Sequence, residues 1–180
     1  RMAAERGRII HKLLEILPHY EVARRHAAAQ SYLTHHLGAL DEALLTQIMA
    51  LLNDAELAPL FSDAALAEAP IGGFLTRHDG SRLALSGQID RLVETESAVL
   101  LVDFKTGTPP ESTNGSAYLP QMAAYRALMQ AAQKTDKQTD KPVKCALIWT
   151  QTGRIDWLDQ KRLDEVLADI LGGKRPLENQ

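Results

Sequence analysis

The first sixty residues place apolar side chains at the spacing of helices. One such stripe, which Pro18 ends, consists of Ile9, Ile10, Leu13, Leu14 and Leu17. An alanine-rich stretch over 22–37 predicts a second helix. Asp41 is a suitable N-cap for a third helix, whose apolar positions are Leu44, Leu45, Ile48, Leu51 and Leu52. We therefore expect residues 1–62 to form a helical part.

Near residue 64 the pattern changes to the alternation of β-strands. Segments 67–76 and 83–94 lie on either side of the turn sequence 77–81 (R-H-D-G-S), which predicts a hairpin. We expect one parity of the second strand to form a single apolar face; its members are Leu83, Leu85, Gly87, Ile89, Arg91 and Val93. The continuous apolar run 98–102 predicts a central strand that is buried on both faces.

The last third of the chain predicts a helix over 117–134, short strands over 143–150 and 153–158, and an amphipathic helix over 163–171. The order of elements predicts one α/β domain, in which residues 63–180 form a central mixed β-sheet flanked by helices.

Composition narrows the classes of function. Hydrophobic residues make up 45% and charged residues 24%, which excludes a disordered chain. The net charge of −3 excludes a global positive field, so a nucleic-acid partner must be held locally or delivered by another domain. The single Cys145 excludes a disulfide framework, an all-cysteine zinc site and a four-cysteine iron–sulfur cluster. No apolar run approaches the roughly 20 residues of a membrane span, so we expect no membrane partner.

Three charged residues follow two successive strands of the predicted sheet. Asp90 lies late in one strand, Asp103 ends the next, and Lys105 comes two residues later on the same face. If the strands are neighbours, the two carboxylates converge and offer the oxygen ligands that Mg²⁺ or Mn²⁺ prefers. A lone D-x-K is more often a solvated strand end. However, charges directly after the apolar V-L-L-V are costly to bury without a metal or a partner.

Together with other motifs, this segment resembles the PD-(D/E)XK nuclease superfamily, and within it the RecB-type nuclease domain. The family sequences G-x-I-D-R and V-D-[YF]-K-T-G are present in full at 87–91 and 102–107. G-R-I-I-H at 7–11, E-A-P at 68–70 and Q-M-A-A-Y at 121–125 resemble further family motifs, in the family order.

The resemblance implies a restriction-endonuclease-like core and a metal site. His11, Asp90 and Asp103 would be metal ligands, together with the backbone carbonyl of Phe104, and Lys105 would be the catalytic lysine beside the two aspartates. The metal would be Mg²⁺, for which Mn²⁺ would substitute. The alternative for His11, which lies near an apolar face, is a packing residue.

The family motifs also contain Gln121, Tyr125, Glu68 and Arg91. Gln121 and Tyr125 lie four positions apart, hence on one helical face, and by the resemblance would border the active site and touch the DNA backbone. Alternatively, they are the polar edge of a helix and a half-buried aromatic. Glu68 would support the metal indirectly or only cap a strand edge. We expect Arg91 to be structural and to pair with a nearby carboxylate.

The single cysteine also narrows the branch of the family, because some RecB-like nucleases hold an iron–sulfur cluster with added cysteines. The remaining candidates are the C-terminal nuclease domains of RecB or AddA helicase–nucleases and small phage-type exonucleases. The resemblance is strongest to AddA. The start at Arg1 also leads us to expect a domain that is part of a longer helicase–nuclease.

The implied function is that of a Mg²⁺-dependent deoxyribonuclease, an exonuclease acting in double-strand break repair and recombination in the cytoplasm. Its implied partners are DNA, helicase domains of the same chain that deliver single strands, and a second, AddB-like subunit. A different class stays open: a catalytically silent scaffold of the same fold that binds DNA or docks on a helicase.

Overall fold

The computed structural model describes residues 2–113, 117–136 and 140–174. The ends of the predicted domain, residue 1 and residues 175–180, lie outside the described residues. In the described part of the chain, no helix combines the length and the apolar character needed to cross a bilayer.

The N-terminal part is helical, as predicted. It consists of α1 (Met2–Ile16), a 3₁₀ helix (Leu17–His19), α2 (Val22–Leu37), α3 (Glu42–Asn53) and a second 3₁₀ helix (Ala58–Phe61). Pro18 lies in the 3₁₀ turn that follows α1, where a missing N–H is tolerated. The carboxylate of Asp41 accepts a hydrogen bond of 2.9 Å from the backbone N–H of Leu44, which confirms the predicted N-cap.

Five strands and two helices form the rest of the domain. In spatial order the strands are β1 (Ala65–Thr76), β2 (Arg82–Glu94), β3 (Val99–Lys105), β4 (Val143–Trp149) and β5 (Arg154–Trp157). β3 and β4 are parallel, and the other neighbours are antiparallel. The parallel pair requires a crossover, which α4 (Leu119–Asp136) provides, and α5 (Gln160–Leu171) closes the described fold. This mixed sheet flanked by helices confirms the expected restriction-endonuclease-like arrangement.

The sheet separates two apolar cores. On one side, α1, α2 and α3 pack against residues such as Val93 and Phe104. On the other side, α4 and α5 pack against residues such as Leu101 and Trp149. The apolar segment 98–102 therefore contributes to both cores, as predicted for a central strand.

The alternation of β2 breaks before the strand ends, so the prediction of one apolar face over 83–93 is wrong. Ile89 packs on the α4–α5 side, whereas Val93, of the same parity, packs against the N-terminal helices. The paired strand β1 shows the same change between Ala69 and Ala65. Between these two, Glu68 has a φ of 48°, a left-handed conformation that shifts the phase of a strand.

Arg91 connects β2 to the end of α1. Its side chain is buried, and the guanidinium donates to the backbone carbonyl of Leu14 and, at 3.5 Å, to that of Glu15. The last carbonyls of a helix have no partner within the helix and carry partial negative charge. Arg91 is therefore structural, as expected, but its hydrogen-bond partners are these carbonyls and not the carboxylate that we predicted.

Replacing Arg91 with alanine should destabilise the domain strongly. We expect the free energy of unfolding, measured by urea denaturation, to fall by about 3 kcal/mol, because buried groups left without a partner each cost about 1–3 kcal/mol. Arg24→Ala is the matched control. The Arg24 side chain is 76% exposed, and its removal should change stability by less than about 0.5 kcal/mol. Equal stability of the two variants would contradict this role of Arg91.

Candidate metal centre

The site lies where β2 and β3 separate. Their paired residues end at Arg91 and Val102, so Asp90 has no partner on β3. Instead, the Oδ2 atom of Asp90 accepts a hydrogen bond of 2.6 Å from the backbone N–H of Phe104. In an extended strand the N–H and C=O of one residue point to the same edge, so the Phe104 carbonyl also faces this gap.

Three side chains meet beside the gap. His11, Glu68 and Asp90 each offer a ligand atom, and these atoms lie within 4.8 Å of one another. The Nδ1 atom of His11 is 3.4 Å from Oδ1 of Asp90. Gly7, one turn before His11, lets α1 lie close to the segment after β3, since a Cβ atom there would lie 3.3 Å from Oγ1 of Thr106. The structure thus brings His11 and Asp90 together, as the motif order implied.

Glu68 belongs to this group, although the sequence left its role open. Its positive φ is unusual outside glycine and costs on the order of 1–3 kcal/mol. The side chain of Gln88 supports this conformation by donating a hydrogen bond of 3.1 Å to the carbonyl of Glu68. The E-A-P motif was the only signal, because strand alternation gives no indication that this carboxylate lies beside His11 and Asp90.

Asp103 and Lys105 form a separate pair next to the group. Their carboxylate and ammonium are in contact, and both side chains are largely buried, with 14% and 13% exposure. The Nζ atom of Lys105 also lies 4.1 Å from the ring centroid of Tyr118. Oδ2 of Asp103 is buried, and it is the atom that the Lys105 ammonium contacts. The charge of Lys105 therefore partly offsets the cost of burying this carboxylate.

The electrostatics of the site favour a bound cation. Burial, and then the charge of Asp90, raise the pKa of Asp103 to about 6, although Lys105 opposes the shift. Partial burial and Asp90 also raise the pKa of Glu68. Burial lowers the pKa of His11, but its hydrogen bond to Asp90 and the surrounding carboxylates outweigh burial and raise it overall. The imidazole of His11 and the carboxylates of Glu68 and Asp90, with Asp103 beside them, fit a divalent metal ion.

Gln121 and Tyr125 lie on α4, and their contacts lead to β2. Nε2 of Gln121 donates a hydrogen bond of 3.1 Å to the hydroxyl of Tyr125. A Cβ atom at Gly87 would lie 1.8 Å from that hydroxyl, so only glycine allows this approach. Tyr125 is 8% exposed, and Gln121 is the more accessible of the two. The structure thus places this pair against the strand that carries Asp90, not within the group of His11, Glu68 and Asp90.

A family model described as the PD-(D/E)XK nuclease superfamily matches residues 1–169. A comparison with curated proteins gives no significant match. Solved structures also match. One of them, described as "Crystal structure of SSO0001", is 14% identical with a TM-score of 0.38, and the match covers 88% of this chain and 72% of that one.

The raised pKa of Asp103 predicts a pH dependence of stability without metal. Between its usual value of 3.8 and about 6, the folded state binds this proton more tightly than the unfolded chain. The contribution of Asp103 to stability therefore decreases as pH rises through that range. Asp103→Asn cannot titrate, so its stability relative to wild type should increase by about 2–3 kcal/mol between about pH 4 and 7, in urea denaturation with EDTA.

Asp41→Asn is the control with the opposite sign. The hydrogen bond from Leu44, and then Arg6, lower the pKa of Asp41. The stability of Asp41→Asn relative to wild type should therefore decrease as the pH rises. This change should occur in the pH range below the ordinary aspartate pKa of 3.8. A pH-independent difference between Asp103→Asn and wild type would show that the Asp103 carboxyl titrates as it does in the unfolded chain.

Proposed function

We propose a metal-dependent DNA-cutting function for this chain, which belongs to the PD-(D/E)XK nuclease superfamily and is therefore a nuclease that hydrolyses phosphodiester bonds. The observation that carries the proposal is the opening between β2 and β3, because it leaves Asp90 and the carbonyl of Phe104 beside His11 and Glu68. If β2 and β3 stayed paired as far as Phe104, its N–H and C=O groups would be used in hydrogen bonds of the sheet.

The proposed metal ligands are His11, Asp90, Asp103 and the carbonyl of Phe104, and Glu68 is added because its carboxylate lies in the same group. We propose Mg²⁺ as the ion, with Mn²⁺ as a substitute, since oxygen ligands dominate the set. When bound, the ion polarises the scissile phosphate and lowers the pKa of a coordinated water.

Lys105 is proposed as the catalytic lysine. Its contacts with Asp103 and with the face of Tyr118 hold the ammonium at the end of β3. An ammonium in this position orients the attacking water and neutralises charge that develops on a phosphoryl oxygen. Gln121 is proposed to reach the DNA backbone, while Tyr125 holds it in place through their hydrogen bond.

The finer biological assignment is also a proposal. The motif order supports an exonuclease domain of an AddA-like helicase–nuclease, active in double-strand break repair in the cytoplasm with an AddB-like partner. The net charge of −3 supports delivery of the strand by a helicase motor, because this domain lacks a strong positive field of its own. Tethering to a motor gives an effective concentration on the order of millimolar, which replaces affinity for free DNA.

A cleavage assay tests the nuclease proposal. Wild-type protein should cut end-labelled DNA with Mg²⁺ or Mn²⁺ and not with EDTA, and Asp90→Asn and Asp103→Asn should each lower the rate by at least about a hundredfold. Glu165→Gln, which changes an exposed carboxylate on α5, is the matched control and should retain the wild-type rate. Comparing 5′- and 3′-labelled single and double strands tests whether the enzyme works from an end.

Two results of that assay would contradict the proposal. Wild-type rates in both aspartate variants would show that Asp90 and Asp103 are not active-site residues. A wild-type protein that cuts no DNA with either ion would favour the silent scaffold.

Calorimetric titration with Mn²⁺ separates a metal ligand from a packing residue. We expect His11→Ala and Glu68→Gln to raise the dissociation constant of Mn²⁺ by about tenfold or more, because each removes a donor from one group. His19→Ala, at an exposed histidine, is the control and should bind Mn²⁺ normally. If His11→Ala kept its affinity but lost thermal stability, His11 would be a core residue.

A further inference from the structure

One face of the β1–β2 hairpin is exposed along its outer half. The opposite face packs toward α4, where Leu75 is buried and a Cβ atom at Gly73 would lie 3.1 Å from Leu128. The exposed face alternates with it and carries only small, polar, aromatic or basic residues. Its members are Pro70, Gly72, Phe74, Thr76, Arg82, Ala84, Ser86 and Gln88.

This exposed face continues into the candidate metal centre. Ile89 faces the α4–α5 core, so Gln88 and Asp90 on either side of it share the other face. Gln88 confirms the continuity, since its side chain bonds to the backbone of Glu68. A ligand that lies along the outer hairpin therefore reaches Glu68 and Asp90 without crossing the sheet.

Phe74 and Arg82 form a stack near the outer end of this face. Phe74 is 55% exposed, and the guanidinium carbon of Arg82 lies 3.8 Å from the centre of its ring. An exposed aromatic ring beside a guanidinium offers two flat surfaces and one positive charge, which is how proteins stack unpaired bases and hold phosphates. The positive charge of Arg82 attracts phosphate. It is not opposed along this face, because none of the exposed residues between this stack and Glu68 is acidic.

The distance and the shape of the face suit a short single strand. Phe74 is opposite Ala84, which precedes Asp90 by six positions, or about 20 Å along a strand. Gly72, Ala84 and Ser86 have short side chains, so a chain lying there meets little obstruction. At the other end, Lys12 lies near enough to Glu68 to interact with its charge, and this lysine is half exposed.

We propose that this face binds the single-stranded DNA substrate, with a base stacked on Phe74 and Arg82 and the backbone directed toward Asp90. The inference rests on the proposed nuclease function and defines its substrate as an unpaired strand, because stacking on a flat ring requires a base that is free of its partner. Phe74 and Arg82 are thus binding residues located away from the reacting phosphate.

Fluorescence anisotropy of the full chain in EDTA tests this without cleavage. The probes are a labelled single strand of about 12 nucleotides and an abasic strand of the same length and charge. Phe74→Ala should raise the dissociation constant for the base-containing strand about tenfold and leave the abasic strand unchanged within about twofold. Arg82→Ala should weaken both and lower the salt slope by about one.

Trp157→Ala is the matched control. Trp157 is 57% exposed, almost the same as Phe74, but lies on β5 at the other edge of the sheet. The Trp157→Ala variant should bind both probes as the wild type does. Melting curves should show that all three variants are folded. Phe74→Ala with wild-type affinity, or a wild-type chain that does not bind the strand even at low salt, would overturn the proposal.

Two further outcomes keep this inference separate from the nuclease proposal. If wild-type protein cuts DNA and the Phe74→Ala and Arg82→Ala variants cut at the same rate with the same apparent KM, the binding face is wrong and the nuclease function stands. If sedimentation shows a dimer that Phe74→Ala dissociates, the face is an interface between copies of the chain, which also overturns the DNA proposal.

Discussion

The candidate site depends on the point at which β2 and β3 stop pairing. Up to Arg91 and Val102 the two strands form an ordinary antiparallel ladder. One residue further, the carboxylate of Asp90 accepts the N–H of Phe104, so a side chain replaces a backbone acceptor. This replacement satisfies a buried donor and keeps the strands apart, which a bare end of the ladder does not do. The position of Asp90 beside the gap follows from that bond.

Arg91 extends the same constraint to the N-terminal helices. It follows Asp90 directly, and its guanidinium holds the last carbonyls of α1, the helix that carries His11. Two consecutive residues of one strand therefore position β3 and α1. This explains why a helix from the first sixty residues supplies a side chain to a site built on the sheet, and why small errors in packing α1 would change the distance between His11 and Asp90.

Hydrophobic periodicity was enough to predict the helices, the hairpin and the buried central strand, because each has a regular repeat over many residues. It failed where tertiary contacts set the backbone. The phase break at Glu68 needs a positive φ that Gln88 helps to hold, and neither feature has a local signature. The prediction that Arg91 pairs with a carboxylate was wrong for a similar reason, since the carbonyls that it binds lie more than seventy positions away.

The charges of the centre and of the hairpin face have opposite signs, and this bears on how a strand is held. Without a metal, Asp90 and its neighbouring carboxylates repel a phosphate. Burial, and then the charge of Asp90, raise the pKa values of Asp103 and Glu68, so the site disfavours further negative charge. Affinity for DNA must then come from elsewhere, and a stack about 20 Å from Asp90 lies beyond the Debye length of about 8 Å at physiological salt. On the proposed assignment, Phe74 and Arg82 hold the strand whether or not an ion is bound, and the ion acts only on the phosphate that reaches the gap. Binding and cleavage would therefore be separable functions of one domain.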